Sequence, residues 1–282
     1  MPVSLSLIDE FFAPLATAAG LRHGAVDSLR LFTLGLARWL PIVTLAPFLG
    51  GRLVLGPVKV GVATLLALYV LPGLSQQAPL PLDVSRIDWW ILLLREITFG
   101  LVLGIAAGLI IWGAEMGGSF LDTVRGGTVA NVLLPQTQLQ TSVLGNFYFQ
   151  LFLVLFLSLG GHRLFLSAVF SSYELLPPFG TTLRGEGLAA AFIAASARAF
   201  VLAAKLIAPA LVVVIFLDVA LGLANRLAPQ FNVFFLSLPL KSVAALLALA
   251  LSLYYAASLG GEAFEEHHVW LQRTLRTMGA TK

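Results

Sequence analysis

The 282-residue chain contains no cysteine. That excludes disulfides, thiolate metal sites and cysteine nucleophiles, and it leaves the redox compartment open. Charge is also scarce: 11% of the residues are Asp, Glu, Lys or Arg, against 59% apolar. Soluble domains carry about 25% charged and about 45–50% apolar residues. With a mean hydropathy of +0.93, there is too little charge to cover a water-soluble globule. A cytosolic enzyme, a nucleic-acid-binding module and a disordered chain are disfavoured on composition alone. The 17 cations exceed the 14 acids by a net +3, with no basic run able to grip a phosphate backbone, so no nucleic-acid partner is expected. No G-x-S-x-G, H-E-x-x-H or Walker loop is present, so catalysis, metal binding and cofactors are not expected. No signal peptide is expected either, because Asp9 and Glu10 interrupt the first apolar stretch.

What is present is apolar sequence in six blocks, roughly 31–49, 53–74, 89–114, 142–170, 188–224 and 231–259. A membrane-spanning helix needs about 20 apolar residues. Sustained period-two alternation is missing, so the expected class is all-α, a polytopic membrane-associated subunit of kinked helix hairpins. Block 142–170 is too long for one simple span, and Gly160-Gly161 is its expected turn. Block 188–224 is expected to break or kink near Pro209. Residues 1–261 are read as one helical unit and 262–282 as a charged, wet tail.

Arg38, Lys59, Arg95, Glu96, Arg198, Lys205, Asp218 and Lys241 lie in or near the apolar blocks. At the centre of a lipid-facing helix each would cost about 2.5–3.5 kcal/mol, about 20–28 kcal/mol together. Ordinary stabilities do not absorb that. Some of these side chains must snorkel to an interface, and the rest must face protein, an opposite charge or water. Prolines 41, 47, 57, 209 and 239 also interrupt the blocks. Broken helices at membrane depth survive where protein buries them or where they line a cavity. The sequence thus predicts a subunit packed into a larger helical assembly. Lys59, Glu96, Glu115, Asp122, Asp218, Arg226 and Lys241 are its candidate buried polar or assembly ties. Glu96, Gly100, Gly104 and Gly108 recur every four residues. On a helix they form one narrow stripe that admits another backbone, from this chain or from a neighbouring subunit.

The stretch Glu115 to Pro135, EMGGSFLDTVRGGTVANVLLP, is the most distinctive. Asp122 and Arg125 can pair on a helical turn, and Gly126-Gly127 then frees the backbone to leave the helix. From Gly126 to His162 there is no Asp, Glu, Lys or Arg, yet the first half is polar. This reads as a loop held within protein, close to a cavity.

These motifs, in order, resemble the export-gate subunit family of type III secretion, FliR in flagella and SctT in injectisomes. The ordered set is Arg38 with Pro41 and Pro47; Gly56-Pro57-Val58-Lys59; Glu96-x3-Gly100-x3-Gly104; Glu115-x2-Gly118; Asp122-x2-Arg125-Gly126; Gly160-Gly161-His162; Ser172-Tyr173; Asp218-x3-Gly222-x3-Arg226-x2-Pro229-Gln230-x-Asn232; and Pro239-x-Lys241. The Asp122-x2-Arg125-Gly126 version leans to the injectisome branch. The resemblance covers about residues 30 to 260. It implies a non-enzymatic, multi-pass subunit of the bacterial inner-membrane export apparatus, within the secretion-system basal body. The implied partners are SctR and SctS (FliP and FliQ in flagella), subunits of the SctU/FlhB and SctV/FlhA types, membrane lipid, and the unfolded proteins being secreted. The assembly would form the pore that admits those proteins. By position, a loop that plugs the closed pore would fall on Arg125 to Pro135, with Gly126 and Gly127 as its flexible base and Val129, Val132, Leu133 and Leu134 as its apolar seal. A small-solute transporter with midplane charges and broken helices is the alternative reading.

Overall fold

The computed structural model describes residues 20–22, 24–51, 54–79, 85–127, 142–179, 185–227 and 233–279. Within them the chain is helical and forms no strand. The helices are α1 (Ala25–Leu45), α2 (Gly56–Gln77), α3 (Arg86–Val124), α4 (Val143–Ser158), α5 (Gly161–Leu175), α6 (Gly185–Leu227), α7 (Val233–Leu251) and α8 (Leu253–Gly279). The expected all-α class is what the chain adopts. Among the described residues four helices are long and apolar enough to cross a membrane: Ala25–Leu45, Gly56–Gln77, Ile87–Val124 and Phe192–Leu227. The number rises to six if α4–α5 and α7–α8 each count as one broken span.

The chain divides into two compact units. The first holds residues 1–108, 162–191 and 269–282, and the second holds 109–161 and 192–268. In the first unit, α1 supplies the buried face. Leu31, Leu34, Arg38, Trp39, Ile42 and Val43 are fully buried, at the three- and four-residue spacings of one helical stripe. Trp39 packs on Phe170 of α5 with ring centroids 5.4 Å apart, and Phe48 meets Phe165 edge-on at 5.4 Å. Gly35 faces Ala67 and Leu74 of α2. In the second unit, Phe264 of α8 sits against Phe152 and Phe156 of α4, at 6.0 and 5.1 Å. Gly113 and Gly117 of α3 face Ala199 and Ala203 of α6 so closely that an added Cβ would lie 2.9 and 3.0 Å from their carbonyl oxygens. Helix packing in an apolar solvent gains nothing from water exclusion, so close backbone approach is the means available.

Four threonine hydroxyls on the apolar helices are satisfied locally. Thr33 donates to the Leu29 carbonyl, Thr44 to Leu40, Thr98 to Leu94 and Thr123 to Ser119, at 2.7–3.0 Å. Such back-bonding hides a polar group that lipid or packed protein could not hydrate.

The chain turns at Leu159-Gly160, where Gly160 has φ +75°. This is the turn expected from the glycine pair, one residue early. The expected break at Pro209 does not occur. α6 runs from Gly185 to Leu227 as one helix with Pro209 inside it. A proline deletes a single rung of the hydrogen-bond ladder, and the long apolar segments on both sides keep the helix continuous. Pro41 and Pro239 likewise lie inside α1 and α7. Pro57 sits in the first turn of α2, where its missing N–H costs nothing. α8 runs without interruption through position 262.

Candidate functional site: a clamped loop base and a buried ion-pair core

Asp122 is 3% exposed, in the last turn of α3. One of its carboxylate oxygens accepts a hydrogen bond from Arg125 Nε at 2.6 Å, with Arg125 Nη2 also at 2.6 Å. The other accepts from the backbone N–H of Leu144 at 2.8 Å and from the Ser142 hydroxyl. Ser142 is the N-cap of α4, and its Oγ accepts from Gly145 N at 2.8 Å. One carboxylate therefore binds the last turn of α3 to the first turn of α4. The negative charge also lies at a helix N-terminus, where unsatisfied N–H groups favour it.

The exit from α3 is equally well defined. Gly127 N donates to the Asp122 carbonyl at 2.8 Å and Gly126 N to Thr123 at 3.1 Å. Gly126 has φ +89°. These are the two bonds and the left-handed residue of a Schellman termination. A side chain at 126 would be strained, and its Cβ would lie 2.6 Å from Leu238 Cδ2 of α7. Below the clamp, α3 and α4 touch backbone to backbone. A Cβ on Gly118 would fall 2.5 Å from the Leu144 carbonyl oxygen. Replacing Asp122 by Ala removes acceptors from Arg125, Ser142 and a buried N–H at once. The expected cost is about 2–4 kcal/mol, given about 1–3 kcal/mol for a group left unsatisfied. It should be read as faster proteolysis between positions 127 and 142, while Ser142→Ala alone costs about 1 kcal/mol.

A second polar cluster lies in the first unit. Arg38 and Glu96 are both fully buried. Arg38 Nε meets Glu96 Oε2 at 2.6 Å. Arg38 Nη1 donates to Ser172 Oγ at 3.1 Å and Nη2 to the Leu176 carbonyl at 2.9 Å. Its guanidinium also lies over the rings of Tyr173, at 4.0 Å, and Phe99, at 5.2 Å. Arg95 Nη2 approaches Glu96 Oε1 at 3.5 Å and donates to the carbonyls of Pro177, at 3.0 Å, and Pro178. The prolines explain the acceptors. Pro177 and Pro178 cannot continue α5, so the carbonyls of Leu176, Pro177 and Pro178 just beyond its end lack helical partners, and two guanidiniums take them near the negative end of the helix.

The remaining predicted residues are placed as follows. Gly100 and Gly104 face α1. A Cβ on Gly100 would collide with the Arg38 carbonyl, and one on Gly104 would lie 3.0 Å from the Pro41 carbonyl oxygen. Gly108 is buried. Lys59 Nζ donates to the Gly51 carbonyl at 3.0 Å, closing the turn between α1 and α2. Asp218 of α6 pairs with Lys241 of α7. Arg226 is exposed near the end of α6, and Glu115 is half-buried on α3. Val129, Val132, Leu133 and Leu134 lie outside the described residues. The clamp's partner Ser142 was not among the predicted residues. Its signal is a serine directly ahead of an apolar run, the ordinary mark of a helix start.

Residues 29–267 match the family described as bacterial export proteins, family 1. The chain is 34% identical over 221 residues to the secretion system apparatus protein SsaT of Salmonella typhimurium, covering 78% of this chain and 85% of that one. It is 31% identical over 226 residues to the flagellar biosynthetic protein FliR of Bacillus subtilis, covering 78% and 84%. It is 32% identical over 226 residues to the Yop proteins translocation protein T of Yersinia pestis, covering 79% and 85%. With the match spanning every helix from α1 to the first half of α8, and with the clamp and the ion-pair core inside it, this chain belongs to the bacterial export proteins of family 1.

Proposed function

We propose that this chain is a non-enzymatic core subunit of a type III protein export gate in the bacterial inner membrane, of the injectisome branch. It would assemble with SctR- and SctS-type sister subunits, and with SctU- and SctV-type subunits, around the pore for unfolded secreted proteins. The segment from Arg125 to Pro135 would plug that pore when it is closed. The observation that carries the plug assignment is the Asp122 clamp, which fastens the residues on both sides of the segment to one carboxylate. A plug that yields to each passing chain and returns needs fixed ends and a seal without strong polar ties. Residues 126–134 carry no charge. Helix length supports the assembly reading. α3 and α6 have 39 and 43 residues, about 58 and 65 Å at 1.5 Å per residue, against a hydrocarbon core of about 30 Å. Much of each would lie outside lipid, sheltered by other subunits.

Shortening Gly126–Leu134 by five residues is the test. Assembly with copurifying subunits should stay intact, while ion conductance of the closed complex in planar bilayers rises severalfold. Conductance at the level of the unaltered complex would overturn the plug assignment.

A further inference from the structure

We propose that a cavity in the second unit is a binding site for the headgroup of a zwitterionic phospholipid bearing a phosphate and a primary ammonium. The cavity measures about 210 Å³ and lies between α6 and α8, with Ile110 of α3 also lining it. One wall carries Arg198 and Lys205 of α6, and the other carries Glu262 and Glu266 of α8. Arg198 and Lys205 are seven residues apart on one helix face, about 10 Å along the axis. Glu262 and Glu266 are one turn apart. All four are exposed, and none forms an ion pair among the described residues.

Two cations facing two carboxylates select the charge type of the ligand. A purely anionic group gains at the α6 wall and is repelled at the α8 wall, and a simple amine meets the reverse. A group carrying both charges satisfies both walls, with phosphate oxygens toward Arg198 and Lys205 and ammonium N–H donors toward Glu262 and Glu266. The surroundings favour a lipid over a small soluble zwitterion. Val201 lines the cavity and is 53% exposed, and Ile193 and Phe200, on the adjoining face of the same helix, are exposed at 71% and 62%. An acyl chain anchored by the headgroup would leave the cavity past Val201. Phe192–Leu227 is also one of the segments apolar enough to span a membrane, so the α6 wall of the cavity lies on a segment that lipid can reach.

The test is native mass spectrometry of the full chain with its copurifying subunits, delipidated and titrated with phosphatidylethanolamine, phosphatidylglycerol or phosphatidylcholine of matched acyl chains. Phosphatidylethanolamine should bind tightest. Arg198→Gln with Lys205→Gln should weaken it about thirtyfold, at about fivefold per cation near a membrane surface. Glu262→Gln with Glu266→Gln should turn the preference toward phosphatidylglycerol. Arg198→Lys, which keeps the charge, should keep most of the affinity and serves as the check if the double variant does not fold. The proposal is overturned if phosphatidylglycerol or phosphatidylcholine binds the unaltered chain as well as phosphatidylethanolamine does, or if the Gln variants bind all three lipids like the parent. It is also overturned if soluble phosphoethanolamine binds as tightly as the lipid, or if a photo-crosslinker at Val201 captures a sister subunit instead of lipid. The outcome is independent of the plug, which conductance tests separately.

Discussion

Glu96→Ala should lower the thermal midpoint of the detergent-purified chain by about 10 °C. The reason is what the substitution leaves behind. Arg38 would stay fully buried, with Ser172 and the Leu176 carbonyl as its remaining hydrogen-bond partners and no opposite charge on its Nε. Breaking a buried ion pair from one side costs about 3–5 kcal/mol, because the surviving charge has neither water nor a partner. For a chain of this size about 1 kcal/mol corresponds to about 2–4 °C. Replacing both members, Arg38→Met with Glu96→Leu, should recover more than half of that loss, since two apolar side chains of similar volume carry no desolvation penalty. The double variant also forfeits the stacking of Arg38 on Tyr173 and Phe99, so full recovery is not expected. A Glu96→Ala chain melting within about 2 °C of the parent would refute a structural role for the pair.

The second large effect is steric. Gly100 lies one turn after Glu96, and any Cβ there would collide with the Arg38 carbonyl and sit 3.1 Å from Pro41 Cγ. Backbone atoms cannot rotate aside as a side-chain tip can. Gly100→Ala should therefore cost at least the about 1–3 kcal/mol of ordinary overpacking. Gly100→Leu should force α1 and α3 apart and break the Arg38–Glu96 bond with them, so that little folded chain is recovered after extraction. Gly61 of α2 is the control. Nothing lies within 4 Å of a Cβ built there, and an interior helical Gly→Ala exchange gains up to about 1 kcal/mol in helix propensity. Gly61→Ala should thus raise the midpoint of the chain expressed alone. Equal effects at positions 61 and 100 would mean that close α1–α3 approach is not what Gly100 serves.

The all-α class, the turn at Gly160 and the exit at Gly126 were legible because each depends on local chemistry: apolar run length, and glycines where the backbone reverses. The need to shelter the charges was legible too, from the energetic cost of leaving them in lipid. The local pair of Asp122 with Arg125 was legible as well, but the long-range partners were not. Arg38 and Glu96 are 58 positions apart, and Asp122 and Ser142 are 20 apart, and no period in the sequence encodes such distances. The break expected at Pro209 is absent because the 43-residue helix continues through the lost rung. The glycines were legible only in part. The four-residue stripe identified the α1-facing side of α3, but Gly113, Gly117 and Gly118 serve other neighbours on the same helix. Their role follows from small residues opposite them, at Ala199, Ala203 and Gly145, far away in sequence.

α3 is also a mechanical element. It has no proline between Arg86 and Val124, it is gripped by α1 at Gly100 and Gly104, and it ends in the Asp122 clamp. Tension on the segment beyond Gly127 would reach the end of this helix and be shared through the Asp122 clamp with the first turn of α4. In the proposed plug, such a strut would hold the N-terminal end of the segment in place while a polypeptide passes.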